Sequence, residues 1–251
     1  MDVVKFRARV GLRLVAYETE TTWLERILRA IEKEIAVGMR RFEKIRSSKN
    51  DLAAEAWADD ECEQIEEMLG VAFIACHSFI NRVWRRVEEL NRFCEEEFHR
   101  KLPSFSCFQD VFAIGRETLR PSGLGGIEAI FAVGNYRKHS EEWPVTEKTA
   151  QNRRKLVWDL GGMNNLQRRT AETVVRLGLE YGSTGNLRDA AKAVGVLEFE
   201  DLSPIWRAIA EWAGEILSAA RREIEQFTKA QGGLAAGSAS QPKGPPGDDL
   251  S

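Results

Sequence analysis

The residues best suited to chemistry lie in the stretch FAVGNYRKHSEEWP, from Phe131 to Pro144. His139 could transfer protons, because the unperturbed pKa of histidine lies near neutrality. Asn135 precedes it by four residues, a spacing that places both side chains on one side of an α-helix. The same helical ridge carries apolar residues at its other steps, Ile127, Phe131 and Trp143. Two polar side chains therefore interrupt a mainly apolar helix face.

Two interpretations of this pair are open. In the first, Asn135 and His139 bond each other or nearby backbone and form a satisfied polar spot in a helical interface. In the second, His139 faces a groove and acts as a general acid or base. Arg137 lies two residues before His139, so it projects from a different side of the helix, and Glu141 is its i, i+4 partner.

The segment NYRKH, from Asn135 to His139, resembles the later part of the RNxxxH motif of HEPN-domain proteins. These are compact helical bundles, and many are RNA-cleaving toxins or antiviral effectors. The resemblance implies a metal-independent endoribonuclease in which a 2′-hydroxyl attacks the phosphate, often at a dimer interface. His139 matches the motif's histidine and Asn135 its polar residue. Gly134 stands where the motif has arginine, and Arg137 is the nearest replacement.

A basic cluster follows Pro144 in the sequence and consists of Arg153, Arg154 and Lys155. Together with His139 it could line an RNA-binding groove. Because the formal net charge is −3, RNA would have to bind a local patch of this kind rather than the protein as a whole. Acidic runs elsewhere balance the basic clusters, so a solvated face is the alternative interpretation.

The cysteines and glycine-rich loops do not form a recognisable metal or cofactor motif. Cys62, Cys76 and Cys94 are spaced for one face of a single helix, where thiols pack as small apolar groups. No CxxC or HxxxH spacing occurs. The loop from Gly123 to Gly126 lacks a following Lys-Ser/Thr pair, so a nucleotide loop is not indicated. We expect no metal and no cofactor.

The elements that must position these residues have a helical period. A seam of apolar residues at steps of four and three predicts one long helix, with Leu69, Phe73, Cys76, Ile80, Val83, Val87, Leu90 and Cys94 on its buried side. Further helices are predicted at 22–45, after Gly126 up to Trp143 and at 167–181. Asn186 should cap a short helix that ends at Gly195, and Ser203-Pro204 should start the last helix.

The two ends of the chain differ from this pattern. Apolar residues alternate with Arg and Gly between Phe6 and Leu14, which is the period of a half-buried strand. We expect an extended segment within residues 1–17, and pairing of its edge between two subunits is one hypothesis. The sequence from Gln231 is rich in Gly and Pro, so we expect a disordered tail over residues 230–251.

The prediction is an all-α protein, a helical bundle with long antiparallel helices over residues 18–229. We find no signal peptide and no span long enough for a bilayer, so a cytoplasmic protein without membrane contact is expected. Two functions are open. One is a HEPN-like protein that acts on or binds RNA, as a degenerate ribonuclease of a defence or toxin system. The other is a non-enzymatic scaffold or regulatory module that binds a protein partner or forms a homodimer.

Overall fold

The computed structural model describes residues 3–47, 51–115, 118–119, 122–150 and 153–237. At several element ends it describes the backbone alone, including residues 3–19, 153–154 and 230–237. Seven α-helices follow in chain order: α1 Val3–Arg46, α2 Asp51–Phe98, α3 Phe108–Ala113, α4 Gly126–His139, α5 Asn165–Arg176, α6 Asn186–Ala193 and α7 Ser203–Gly237. Two 3-10 turns lie at Pro103–Phe105 and Ser140–Glu142. The all-α prediction is confirmed.

The strands form two small antiparallel pairs. β1 (Thr118–Leu119) pairs with β2 (Leu124–Gly125), and β3 (Val145–Ala150) pairs with β4 (Arg153–Trp158). In the second pair Val145 lies opposite Trp158, and Ala150 lies opposite Arg153. The sequence analysis did not predict this hairpin.

The long antiparallel pair α1 and α2 is the frame on which the other helices pack. Every residue of the predicted α2 seam is buried, from Leu69 at one end to Cys94 at the other. Leu24, Leu28 and Ile35 of α1 are buried against it in the same core. Burying such side chains stabilises the fold by about 1.5–3 kcal/mol each, so the seam is the main source of cohesion between the helices.

The N-terminal segment that we expected to be extended is helical and belongs to α1. Phe6, Val10 and Leu14 are four residues apart, so the alternation that suggested a strand also places apolar residues on one helix ridge. A helix satisfies its backbone hydrogen bonds internally, whereas a lone strand needs a partner. At the other end, α7 continues to Gly237, so the tail predicted from residue 230 begins inside a helix. Residues 238–251 lie outside the described part.

Three helix ends differ from their predicted positions. α4 ends at His139 and continues as a 3-10 turn to Glu142. α5 ends at Arg176, because Gly178 has a φ of 87° and reverses the chain before Tyr181. The N-cap of α6 is Gly185, with a φ of 88°, so Asn186 is the first helical residue rather than the cap. In contrast, α7 begins at Ser203 as predicted.

Candidate functional site

Asn135 is a buried residue that links two helices. Its Nδ2 donates a hydrogen bond to Oγ1 of Thr170 on α5 at 2.9 Å. The Thr170 hydroxyl in turn donates to the carbonyl of Leu166 at 3.1 Å. A buried amide needs such a partner, because leaving it unpaired costs about 1–3 kcal/mol. Asn135 is therefore satisfied within an interface between helices, as in the first of the two interpretations, but its partner is Thr170 and not His139.

His139 lies at the end of α4, and its side chain is 37% exposed. Its Nδ1 is 3.3 Å from Oε1 of Glu142, in the 3-10 turn that follows. A carboxylate beside an imidazole can hold the ring in one orientation. The pair could take part in proton transfer, but Asn135 does not contact it.

Arg137 projects toward α2, away from the ridge that carries Asn135 and His139. Its guanidinium forms an ion pair with Glu67. The side chain lies over Gly70, where a Cβ atom would come within 2.8 Å of the Arg137 Nε. The three residues proposed from the sequence as catalytic thus have three different partners, Thr170, Glu67 and Glu142.

Gly134 occupies the closest contact between α4 and α2. A Cβ atom at this position would lie 2.4 Å from the carbonyl oxygen of Phe73 and 2.5 Å from Cβ of His77. The Phe73 oxygen is part of the α2 backbone, and the His77 Cβ is bonded directly to that backbone. Neither atom can therefore rotate away. In this packing no side chain fits at the position where the HEPN motif has its arginine.

The structure also reveals a buried histidine, His77, outside the stretch that the sequence analysis singled out. His77 of α2 packs edge-on against the ring of Phe131, with ring centroids 4.4 Å apart, and Nδ2 of Asn81 donates to its Nε2 at 2.8 Å. Burial, with smaller contributions from the neighbouring Lys138 and His139, lowers the pKa of His77 to about 4. In the sequence, the spacing of four residues between His77 and Asn81 could have indicated that the two side chains meet on one helix face.

An aromatic cluster holds the β3–β4 hairpin against the helices. It consists of Tyr136, Trp143, Trp158 and Tyr181, with neighbouring ring centroids 5.5 to 6.3 Å apart. Asn186 donates to the Tyr136 hydroxyl at 3.1 Å, and burial raises the pKa of that tyrosine. The cluster includes Trp143, so this end of the predicted α4 ridge has a packing role.

The predicted RNA-binding cluster lies on β4. Lys155 is half exposed and forms an ion pair with Glu180. The backbone of Arg153 and Arg154 pairs with β3, and their side chains lie outside the described atoms. A carboxylate therefore already offsets the one cation of this cluster whose side chain is described.

We call residues 39–47 at the end of α1 and 54–64 near the start of α2, on either side of the connection between the two helices, the arm. Contacts of α2 with α4 and α6 involve Glu66, Glu67 and residues after them. Among side chains that the structure describes, none in the arm is buried. Trp57 is 62% exposed, and Phe42 is half-buried although it continues the apolar stripe of α1.

A cleft of about 410 Å³ lies at the base of the arm, between α1 and α2. Its apolar floor includes Ile35, Val37 and Met68. The charged residues that line it are Glu34 and Arg41 on the α1 side and Asp60, Glu63 and Glu67 on the α2 side. An apolar cleft with charged residues along its edge is a surface to which a protein segment can bind.

The described thiols and acidic groups do not form a metal centre. Burial raises the pKa of the Cys76 thiol far above its usual range, and burial together with Glu223 raises that of Cys94 to about 11. Both are packing residues, as predicted. Within the described ranges, no group of three or more His, Cys, Asp or Glu residues is arranged to hold a metal ion. None of the helices searched over those ranges has an apolar stretch sufficient to cross a bilayer.

No family model, curated protein or solved structure matches the chain.

Proposed function

We propose that the protein is a non-enzymatic helical scaffold or regulatory module of the cytoplasm, and that it binds a protein partner through the arm. The observation that carries this proposal is the exposed apolar surface of the arm, with Trp57 at 62% exposure and Phe42 half-buried. Tryptophan is among the residues that contribute most to binding energy at protein interfaces. A partner that covered Trp57 would remove this apolar surface from water.

The test is photo-crosslinking of the full chain in its native host cells. A photoreactive amino acid at position 57 should give a discrete adduct with a protein. The control is the same amino acid at position 197, where Leu197 is 85% exposed on a different part of the surface. If position 57 gives no discrete adduct, or gives only the adducts seen at 197, the arm is not a binding surface and the proposal fails.

A second candidate is the RNA-directed function that the HEPN resemblance implies. It is supported by the partly exposed His139 beside Glu142, because an imidazole paired with a carboxylate can act as a general base. Against it, Asn135 is committed to Thr170, and Gly134 has no space for the motif's arginine.

We therefore expect no RNA cleavage by the purified full chain. The assay compares the wild type with His139→Ala on single-stranded and structured RNA. Metal-independent cleavage that disappears in His139→Ala would favour the RNA-directed function over the scaffold. Cleavage that the variant retains would point to a contaminating nuclease.

A further inference from the structure

We infer that the partner of the arm is a second copy of this chain, held in a four-helix bundle whose two-fold axis runs along the arm. The inference rests on the proposed function of the arm as a protein-binding surface. It goes further because it names the partner and the arrangement. The observation that carries it is the separation of charge between the two helices of the arm.

One helix of the arm is basic and the other is acidic. Residues 39–47 of α1 hold four basic residues and one acidic residue, Arg40, Arg41, Lys44, Arg46 and Glu43. Residues 54–64 of α2 hold five acidic residues and no lysine or arginine, namely Glu55, Asp59, Asp60, Glu61 and Glu63. Within the arm, Arg41 and Glu61 approach to 3.9 Å. Most of the other charged side chains point into solvent.

The basic and acidic groups border the same apolar surface. Arg41, Asp60 and Glu63 line the cleft at the base of the arm. Lys44 lies three residues after Arg41, and Trp57 lies three residues before Asp60, so both continue that face toward the connection. From Arg41 toward the connection, the face thus has a basic edge on α1 and an acidic edge on α2, whereas Glu34 lies on the α1 side at the base of the cleft. A partner must present the same two edges in the opposite order.

A copy of the chain related by a two-fold axis presents that order. Two helical hairpins can face each other around an axis along the arm or around an axis across it. With the axis across the arm, α1 faces the partner's α1 and α2 faces the partner's α2, so like charges meet. With the axis along the arm, each basic α1 faces an acidic α2 and neighbouring helices are antiparallel, as in many four-helix bundles. Charge complementarity selects the second arrangement, because unlike charges steer and align the partner while like charges oppose it.

The experiment measures the mass of the purified full chain by light scattering during size-exclusion chromatography. The wild type should elute at twice the chain mass of 28.4 kDa. One variant carries Arg41→Glu with Lys44→Glu, and a second carries Asp60→Lys with Glu63→Lys. Each alone should be monomeric, because the two edges of its face, at positions 41 and 44 and at positions 60 and 63, then carry the same sign of charge. An equimolar mixture should recover the dimer, because each reversed edge then faces an edge of opposite charge.

Two controls separate association from folding. Arg221→Glu with Arg222→Glu makes the same change in charge at exposed positions of α7 and should leave the dimer intact. Thermal unfolding followed by circular dichroism should show that the monomeric variants are folded. The Arg41–Glu61 pair is exposed on the arginine side, at 62%, so its loss should cost less than about 1 kcal/mol.

A monomeric wild type at the highest soluble concentration would overturn the inference. A dimer that survives both reversals would also overturn it, because the contact would then lie elsewhere. If the reversed variants are monomeric but do not combine in the mixture, the axis along the arm is wrong. If the chain is a monomer while position 57 crosslinks to a different protein in cells, the inference fails and the proposed function stands. If position 57 gives no adduct and the chain is a monomer, both fail.

Discussion

At the scale of single residues, Gly134 sets how closely α4 can approach α2. A glycine inside a helix ordinarily costs about 0.5–1 kcal/mol relative to alanine. Here the Cβ of an alanine would lie 2.4 Å from the Phe73 carbonyl oxygen, so the two helices would have to separate. The steric cost of a Cβ atom at this contact is therefore larger than the helix propensity that alanine would add.

We expect Gly134→Ala to lower the free energy of unfolding by about 1–3 kcal/mol, because overpacking a well-filled interface has a cost of that size. Urea unfolding followed by circular dichroism measures the change. The matched control is Gly214→Ala in α7, where nothing lies within 4 Å of the added Cβ. That variant should be more stable than the wild type by about 0.5–1 kcal/mol. Equal effects at both positions would contradict the proposed contact.

His77 makes the fold sensitive to acid. Its pKa is about 4 in the folded protein and 6.5 as the ordinary value, so the folded state binds the proton less readily than the unfolded chain does. The neutral ring therefore contributes stability that is fully present above pH 6.5 and is lost as the pH falls toward 4. The shift corresponds to a loss of at most about 3 kcal/mol.

We expect His77→Gln to lose less stability than the wild type between pH 7 and pH 4.5, because glutamine does not titrate. Urea unfolding midpoints at several pH values measure this difference. His99→Gln, at an exposed position, is the control and should follow the wild type. If His77→Gln and the wild type lose stability in parallel, the buried histidine is not the cause.

At the scale of elements, a residue distant in the sequence stabilises the start of α6. Glu66 of α2 accepts a hydrogen bond from the Leu187 amide at 3.0 Å through Oε2 and one from Arg188 Nε at 2.9 Å through Oε1. The carboxylate lies where the helix has its unpaired amides and the positive end of its dipole. It thus performs the capping role that the sequence analysis gave to Asn186.

Glu66→Ala should therefore lower the free energy of unfolding by about 2 kcal/mol, since it leaves a helix N-terminus and an arginine without their acceptor. Hydrogen exchange should show α6 amides opening first. The control is Glu96→Ala, an exposed glutamate on the same helix, with an expected change within about 0.5 kcal/mol. Unchanged α6 exchange in Glu66→Ala would show that the helix does not depend on this cap.

These elements also show what the sequence could predict. The α2 seam was predictable residue by residue, since apolar residues at steps of four and three over many turns indicate the buried side of one long helix. The cap of α6 was not, because Glu66 and Leu187 become neighbours only in the folded chain. The β3–β4 hairpin was missed because much of β3 is polar and only Leu156, Val157 and Trp158 supply apolar residues on β4. For the candidate site, the ridge position of Asn135 was predictable, whereas its partner Thr170 depends on how α5 packs.

At the scale of the whole molecule, the described side chains are buried around the α1–α2 core but not in the arm. The apolar stripe predicted on α1 runs through Phe42, but burial within the chain ends near Gly38. The sequence pattern thus continues beyond the core that the chain forms by itself. If a second copy completes that core, folding and association are coupled.

The coupling predicts that the unfolding temperature rises with protein concentration, because a dimer that dissociates on unfolding obeys mass action. Trp57→Gln should remove this dependence without altering the circular dichroism spectrum of the folded chain. Leu197→Gln, at another exposed apolar position, should retain it. Differential scanning calorimetry over a wide concentration range makes the comparison. A wild-type unfolding temperature independent of concentration would contradict a dimer that dissociates on unfolding.

The contact between Glu66 and α6 also bears on the order in which the chain acquires its structure during synthesis. α6 has eight residues, too few for a stable helix in isolation, and its N-cap glycine offers no side chain. α2 precedes α6 in the chain, so the ribosome releases Glu66 before the helix whose first amides donate to it. We therefore expect α6 to acquire its structure only after α2 is in place.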